Sequence, residues 1–320
     1  MKVLLITLVL VVAIFVALFI WTRLQVAQIE QAHPPQGQFV ELSNGRLHFV
    51  DLQARGDLPP ILFIHGASGN LNDQRVAYEN ALSGTGRLIF IDRPGHGYSD
   101  RAGADDPAKQ ADIYAQFLSE IGVESAIIVC HSLGCASAAA MAVNHPDRVQ
   151  GLVFVAPATH EWPGGVTWYY DIASLPIIGW LFTETLTLPF GRVGLDSGVA
   201  SVFKPNKPVP DYASDSAVKL VLRPQTFRHN AHDVATLKAF VTRFQPRYES
   251  IAAPTEIITG DSDDVVLPEI HSVGLERDIA GAQMTVLPGV GHKPDYIATD
   301  VVVGAIRRVA AQSIAQSVER

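Results

Sequence analysis

Ser132 stands in the pentapeptide Cys130-His131-Ser132-Leu133-Gly134, directly behind the run Ser125-Ala126-Ile127-Ile128-Val129 and just ahead of Ala136-Ser137-Ala138-Ala139-Ala140-Met141. A β-branched strand, a serine between residues small enough for a tight turn, and a helix together form a nucleophile elbow. Such a turn lifts the hydroxyl off the strand end and leaves the next N–H, that of Leu133, facing the same space. Acyl transfer needs that pairing, because an attacking oxygen and an oxyanion donor must meet at one carbonyl. A serine hydroxyl also needs a base. The segment Val286-Leu287-Pro288-Gly289-Val290-Gly291-His292 reads as a strand ending in a loop that carries His292. Upstream of it, Ile257-Ile258-Thr259-Gly260 reads as a strand running into a loop with three aspartates, Asp261, Asp263 and Asp264. In an open parallel sheet the C-terminal strand ends line one crevice, so serine, acid and histidine far apart in sequence can converge there. A helix N-cap would explain the serine alone, but not the two matching strand ends.

Further motifs lie upstream: Phe63-Ile64-His65-Gly66-Ala67-Ser68-Gly69, and Ile91-Asp92-Arg93-Pro94-Gly95-His96-Gly97-Tyr98-Ser99. With these five motifs in order, residues 39–313 resemble the α/β-hydrolase family. One departure is Cys130, where the family usually carries glycine. The resemblance implies a mainly parallel sheet of about eight strands with flanking helices and a helical cap. It implies Ser132 as nucleophile, His292 as base and, by the family's strand-Gly-x-x-Asp spacing from Gly260, Asp263 as acid. Backbone N–H groups of Ala67 and Leu133 are the implied oxyanion donors. His65 and His96 are expected to tie loops together, Asp92 and Arg93 to be structural, and His131 to point into the sheet. Relatives that attack carbon with a carboxylate carry aspartate at the elbow, so serine implies an acyl-enzyme. The resulting expectation is a carboxylic-ester, lactone or thioester hydrolase. Carbon–carbon bond hydrolase, acyltransferase and perhydrolase are alternatives within the fold, and an inactive membrane-tethered binding protein is one from another class.

The elements that must position these residues follow from pattern. Strands are expected near 60–64, 87–91, 125–129, 151–155, 255–259 and 283–287, behind a hairpin around Ser43-Asn44-Gly45. Helices are expected near 107–121, 132–144, 268–279 and 295–313. The alternation fails over 158–248, a strandless stretch broken by prolines and holding Trp162, Trp168 and Trp180. It reads as a cap insertion, with the three tryptophans as candidates to line an apolar acyl pocket.

Residues 3–21 carry no charge, glycine or proline. As a helix they span about 29 Å, close to a bilayer's hydrocarbon core. The expected organisation is a membrane anchor over 1–23, a polar linker over 24–38 and the hydrolase domain over 39–320. Setting aside Lys2 and Arg23, 22 basic residues face 32 acidic ones. An acidic domain without a basic run argues against nucleic acid and against docking on anionic lipid by charge. Lys2 and the terminal amine precede the apolar helix, which places the domain outside the cytoplasm by the positive-inside rule. Cys130 and Cys135 read as buried free thiols, because a bridge across so tight a turn is disfavoured, and that weighs the other way. No metal-ligand spacing or phosphate loop occurs, so no metal or cofactor is expected, and the partners are a small acyl substrate and the membrane.

Overall fold

The computed structural model describes residues 1–318. Eight strands form one sheet: β1 (Gln38–Leu42), β2 (Gly45–Leu52), β3 (Leu58–Ile64), β4 (Gly86–Ile91), β5 (Ala126–His131), β6 (Val149–Val155), β7 (Thr255–Gly260) and β8 (Gln283–Leu287). Their order is β1-β2-β4-β3-β5-β6-β7-β8, with the leading hairpin antiparallel and every pairing from β4 to β8 parallel. Successive side chains on a strand point to opposite faces, and here both faces are covered. Ile128, Cys130, Phe154 and Ile257 face one apolar layer, while Ile127, Val129, Val153 and Ile258 face the other. This two-sided burial explains why the central strands are continuously apolar rather than alternating.

The helices are α1 (Lys2–Ala32), α2 (Leu71–Leu82), α3 (Pro107–Glu120), α4 (Gly134–Asn144), α5 (Trp168–Ser174), α6 (Pro176–Phe182), α7 (Leu188–Phe203), α8 (Tyr212–Asp215), α9 (Pro224–Phe244), α10 (Pro268–Asp278), α11 (Pro294–Ile297) and α12 (Thr299–Val318). Helices α2 and α12 cover one face of the sheet; α3, α4 and α10 cover the other. Asp106 caps α3 by accepting from the Lys109 N–H at 2.8 Å, with Pro107 at the first turn where a missing N–H costs little. Helix α2 has no counterpart in the sequence pattern. Its apolar positions are few, and Asn70, accepting from the Asn72 N–H at 3.0 Å, supplies its start. Helices α5 to α9 make up the insertion between β6 and β7, which contains no strand.

Two expectations are corrected. The polar linker is helical as far as Ala32, so only residues 33–37 separate α1 from the sheet. Gln, Ala, Ile and Glu are adequate helix formers, and the segment is held by packing: Ile29 is buried with Leu188, Leu220 and Leu222 of the cap. Cys130 and Cys135 are not free thiols but a disulfide. The strand-to-helix turn that was expected to keep them apart sets their Cα atoms 5.0 Å apart, inside the range a bridge requires.

Candidate active site

Ser132 lies between the end of β5 and the start of α4, with φ at +53°. A left-handed serine costs about 1–3 kcal/mol, and the surroundings hold it in place. Its N–H donates to the Val155 carbonyl at 3.0 Å, and its carbonyl accepts from the Ala158 N–H at 3.1 Å. Two glycines permit the close approach. A Cβ at Gly134 would strike the His65 carbonyl, and one at Gly66 would stand 3.0 Å from the Ser132 Cβ. The loop after β3 therefore lies directly against the serine.

The loops after β7 and β8 are tied to each other independently of the chemistry. The Ser262 N–H donates to the Val290 carbonyl at 3.0 Å, and the Gly289 N–H donates to the Asp261 carboxylate at 2.7 Å. Asp261 is thus a loop brace, and Asp264 is exposed. Asp263 faces the histidine: His292 Nδ1 stands 2.7 Å from its Oδ2, and His292 Nε2 stands 2.9 Å from Ser132 Oγ. The other Asp263 oxygen accepts from the N–H groups of Val265 and Val266, both at 2.9 Å. Burial opposes the charge on Asp263, but His292 and these donors outweigh it and hold the carboxyl below its ordinary value. Among the described residues, the N–H groups of Leu133 and Ala67 have no acceptor. They remain available to a substrate oxygen.

A neutral histidine, His65, fixes the loop after β3. Burial, then Arg93 and His96, depress His65 to about 3, so its Nδ1–H donates to the Gly66 carbonyl at 2.8 Å while Nε2 accepts from the Arg93 N–H at 3.0 Å. Asp92 accepts from the N–H groups of Leu71 and Tyr98, and Arg93, fully buried, donates to Gln110 and Asp233. The cap reaches the same loop. Asn230 of α9 accepts from the Ser68 N–H at 2.6 Å and donates to its hydroxyl at 3.1 Å, with Tyr170 of α5 against both. Ser68 is itself left-handed, at φ +58°. Neither Asn230 nor Tyr170 carries a sequence signal, since cap residues follow no strand motif.

Behind His292 lies a buried charged cluster that sequence reasoning also missed. Lys293 donates to both Asp73 oxygens at 3.2 and 3.1 Å and makes a 2.9 Å ion pair with Asp295. His131 donates from Nε2 to the His292 carbonyl at 2.9 Å. Burial opposes the Lys293 charge, yet Asp295 and Asp73 raise its pKa far above the usual lysine value, while burial pushes Asp295 up to about 6. Asp73, His131 and Asp295 bring ligand atoms within 4.8 Å of one another. The Lys293 ammonium already supplies positive charge to both carboxylates there. The legible hint was a lysine directly after the loop histidine.

The three tryptophans are not brought together. Trp162 is half-buried, its ring 5.9 Å from that of His271. Trp168 and Trp180 are 63% and 46% exposed, with Tyr169 and Phe19 as their ring partners. The expectation that all three line one pocket does not hold for these two, because the cap turns them outward.

The model of the alpha/beta hydrolase fold matches residues 59–294, and the chain belongs to that family. The sn-1-specific diacylglycerol lipase ABHD11 of Mus musculus is 25% identical over 75% of this chain and 77% of its own length. The dihydrolipoyllysine-residue acetyltransferase component of the acetoin cleaving system of Cupriavidus necator is 34% identical, but over 38% of this chain and only 32% of that protein. Among solved structures, an alpha/beta hydrolase fold protein from Nakamurella multipartita superposes with a TM-score of 0.64 at 23% identity, covering 87% of this chain and all of that one.

Proposed function

We propose that the chain is a membrane-anchored serine hydrolase that cleaves a carboxylic ester, lactone or thioester through an acyl-enzyme on Ser132. The observation that carries this reading is the continuous contact from Asp263 through both ring nitrogens of His292 to the Ser132 hydroxyl. In the proposed cycle, Ser132 Oγ attacks the carbonyl carbon as His292 Nε2 takes its proton. Asp263 keeps the Nδ1–H tautomer and stabilises the imidazolium. The Leu133 and Ala67 N–H groups receive the developing oxyanion. His292 returns the proton to the leaving alcohol or thiol. It then deprotonates a water, which attacks the acyl carbon and releases the acid. An inactive binding protein would have no need of a strained serine aimed at a base. The diacylglycerol lipase among the relatives supports ester cleavage.

The apolar half of α1 is exposed and long enough to cross a bilayer, which supports anchoring. The disulfide favours an oxidising compartment, so the cysteines now agree with the positive-inside reading that the domain lies outside the cytoplasm. The substrate class is tested by p-nitrophenyl esters of graded acyl length, lactones and thioesters. Turnover of none of them by the full chain in detergent would remove the assignment.

A further inference from the structure

The cap carries a large apolar surface that the proposed chemistry does not use. Ile177, Ile178 and Leu181 of α6 are 81%, 61% and 41% exposed, and Phe190 and Val193 of α7 are 69% and 87% exposed. Between Asp171 and Arg192 the chain has a single charged residue, Glu184. Glu184 is buried, in the turn Thr183–Thr187 that joins α6 to α7, and is neutralised by Arg23 at 2.6 Å and Arg228 at 3.2 Å. Exposed single leucines are ordinary on a soluble domain, but a run this apolar with its one charge internally paired is not.

The position of α1 identifies what covers it. The uninterrupted apolar stretch of α1 ends at Trp21, and Arg23, two residues on, reaches Glu184. Phe19, still within the apolar stretch, packs its ring 6.5 Å from that of Trp180 on α6. Thr22 is fully buried and Ile29 nearly so, which holds the helix against the cap. The exposed face of α6 is therefore level with the last turn of the membrane-crossing segment. The surface turns polar from the exposed Arg192, which donates to Gln25 of α1, on to Asp196 and Ser197, so Val193 lies at the margin of the apolar face.

We infer that α6 and the first turns of α7 lie in the interfacial layer of the bilayer that α1 crosses, with lipid acyl chains against Ile177, Ile178, Leu181 and Phe190. Aromatic and aliphatic side chains at that depth gain burial of the kind that seats amphipathic helices in membranes. Pairing Glu184 with Arg23 removes the cost of a lone carboxylate next to hydrocarbon. This inference rests on α1 being a membrane anchor, and the test separates the two.

The full chain, reconstituted one copy per phosphatidylcholine nanodisc, is labelled with an environment-sensitive fluorophore at Val12→Cys, Ile178→Cys, Phe190→Cys or, as a control, the exposed Arg55→Cys. Lipids bearing a nitroxide near the acyl-chain end should quench position 12, lipids bearing one on the upper acyl chain should quench positions 178 and 190, each removing about half of the emission or more, and neither should change position 55. Quenching at 12 without quenching at 178 and 190 overturns the inference and leaves the anchor standing, as when a second copy of the chain covers the cap. Quenching at none of them removes the anchor and the inference together. Independently, Ile177→Ser with Ile178→Ser should lower turnover of an ester embedded in vesicles at least fivefold while sparing a short soluble ester. Equal loss on both substrates means the pair serves folding, and overturns the inference.

Discussion

Ser132 is held in a left-handed conformation by neighbours that are bonded before any substrate arrives, so the positions of hydroxyl and amide do not depend on binding. Removing Ser132 or His292 then removes the same step. Ser132→Ala and His292→Ala should each lower kcat by about 10³-fold or more, and the double variant by little beyond that; steady-state kinetics of the three variants check it. Asp263→Asn should be severe, because the amide no longer selects the Nδ1–H tautomer, whereas the exposed Asp264→Asn should be mild in the same assay. Strand geometry alone left three aspartates open; the resembled family's strand-Gly-x-x-Asp spacing, applied from Gly260, singled out Asp263, whose carboxylate lies 2.7 Å from His292 Nδ1. The place of Lys293 directly after His292 was visible, but its role was not, because that depends on Asp73 in a helix that leaves little trace in hydropathy. Lys293→Met would leave two buried carboxylates without their cation and should destabilise the fold by about 3–5 kcal/mol, measured by urea unfolding.

At the level of elements, the sheet was readable and its coverings less so. Strands β3 to β7 are buried on both faces, which writes them as short β-branched runs between turns. The cap has no such constraint: its helices pack by local contacts, and Trp168 and Trp180 look in sequence like any core aromatic. The helical extension of α1 past Arg23 was hidden for the same reason, since its polar residues pair with the cap instead of repeating along a buried stripe. Contact between cap and site runs through Asn230, whose side chain bonds the strained Ser68 of the loop after β3. Asn230→Ala should lower kcat about tenfold with a smaller change in KM, because loosening the loop weakens stabilisation of the transition state more than binding of the ground state. Equal effects on soluble and lipid-borne esters would place the defect in the loop rather than in membrane seating.

For the molecule as a whole, the same buried groups that order the site make it sensitive to acid. Burial lowers His96 and His131 well below 6.5, His271 to about 4 and His65 to about 3. A depressed folded-state value means the unfolded chain binds the proton first, so the stability these histidines contribute is present above pH 6.5 and is lost as pH falls below it. Asp295, raised to about 6, runs the other way and loses its contribution as pH rises through that value. His160 and His229 are depressed in the same sense, so the depressed histidines outweigh Asp295 and acidification below 6.5 should cost stability, on the order of 1 kcal/mol per deeply buried histidine per pH unit, visible as a falling urea midpoint between pH 7 and pH 5. The proposed chemistry requires that Ser132 become acylated with His292 as its base. Its most direct measurement is intact mass and peptide mapping of the full chain after reaction with a fluorophosphonate. One adduct is expected, on the peptide carrying Ser132, absent in Ser132→Ala and strongly slowed in His292→Ala. An adduct on another residue, or none on native protein that is folded by circular dichroism, would contradict it.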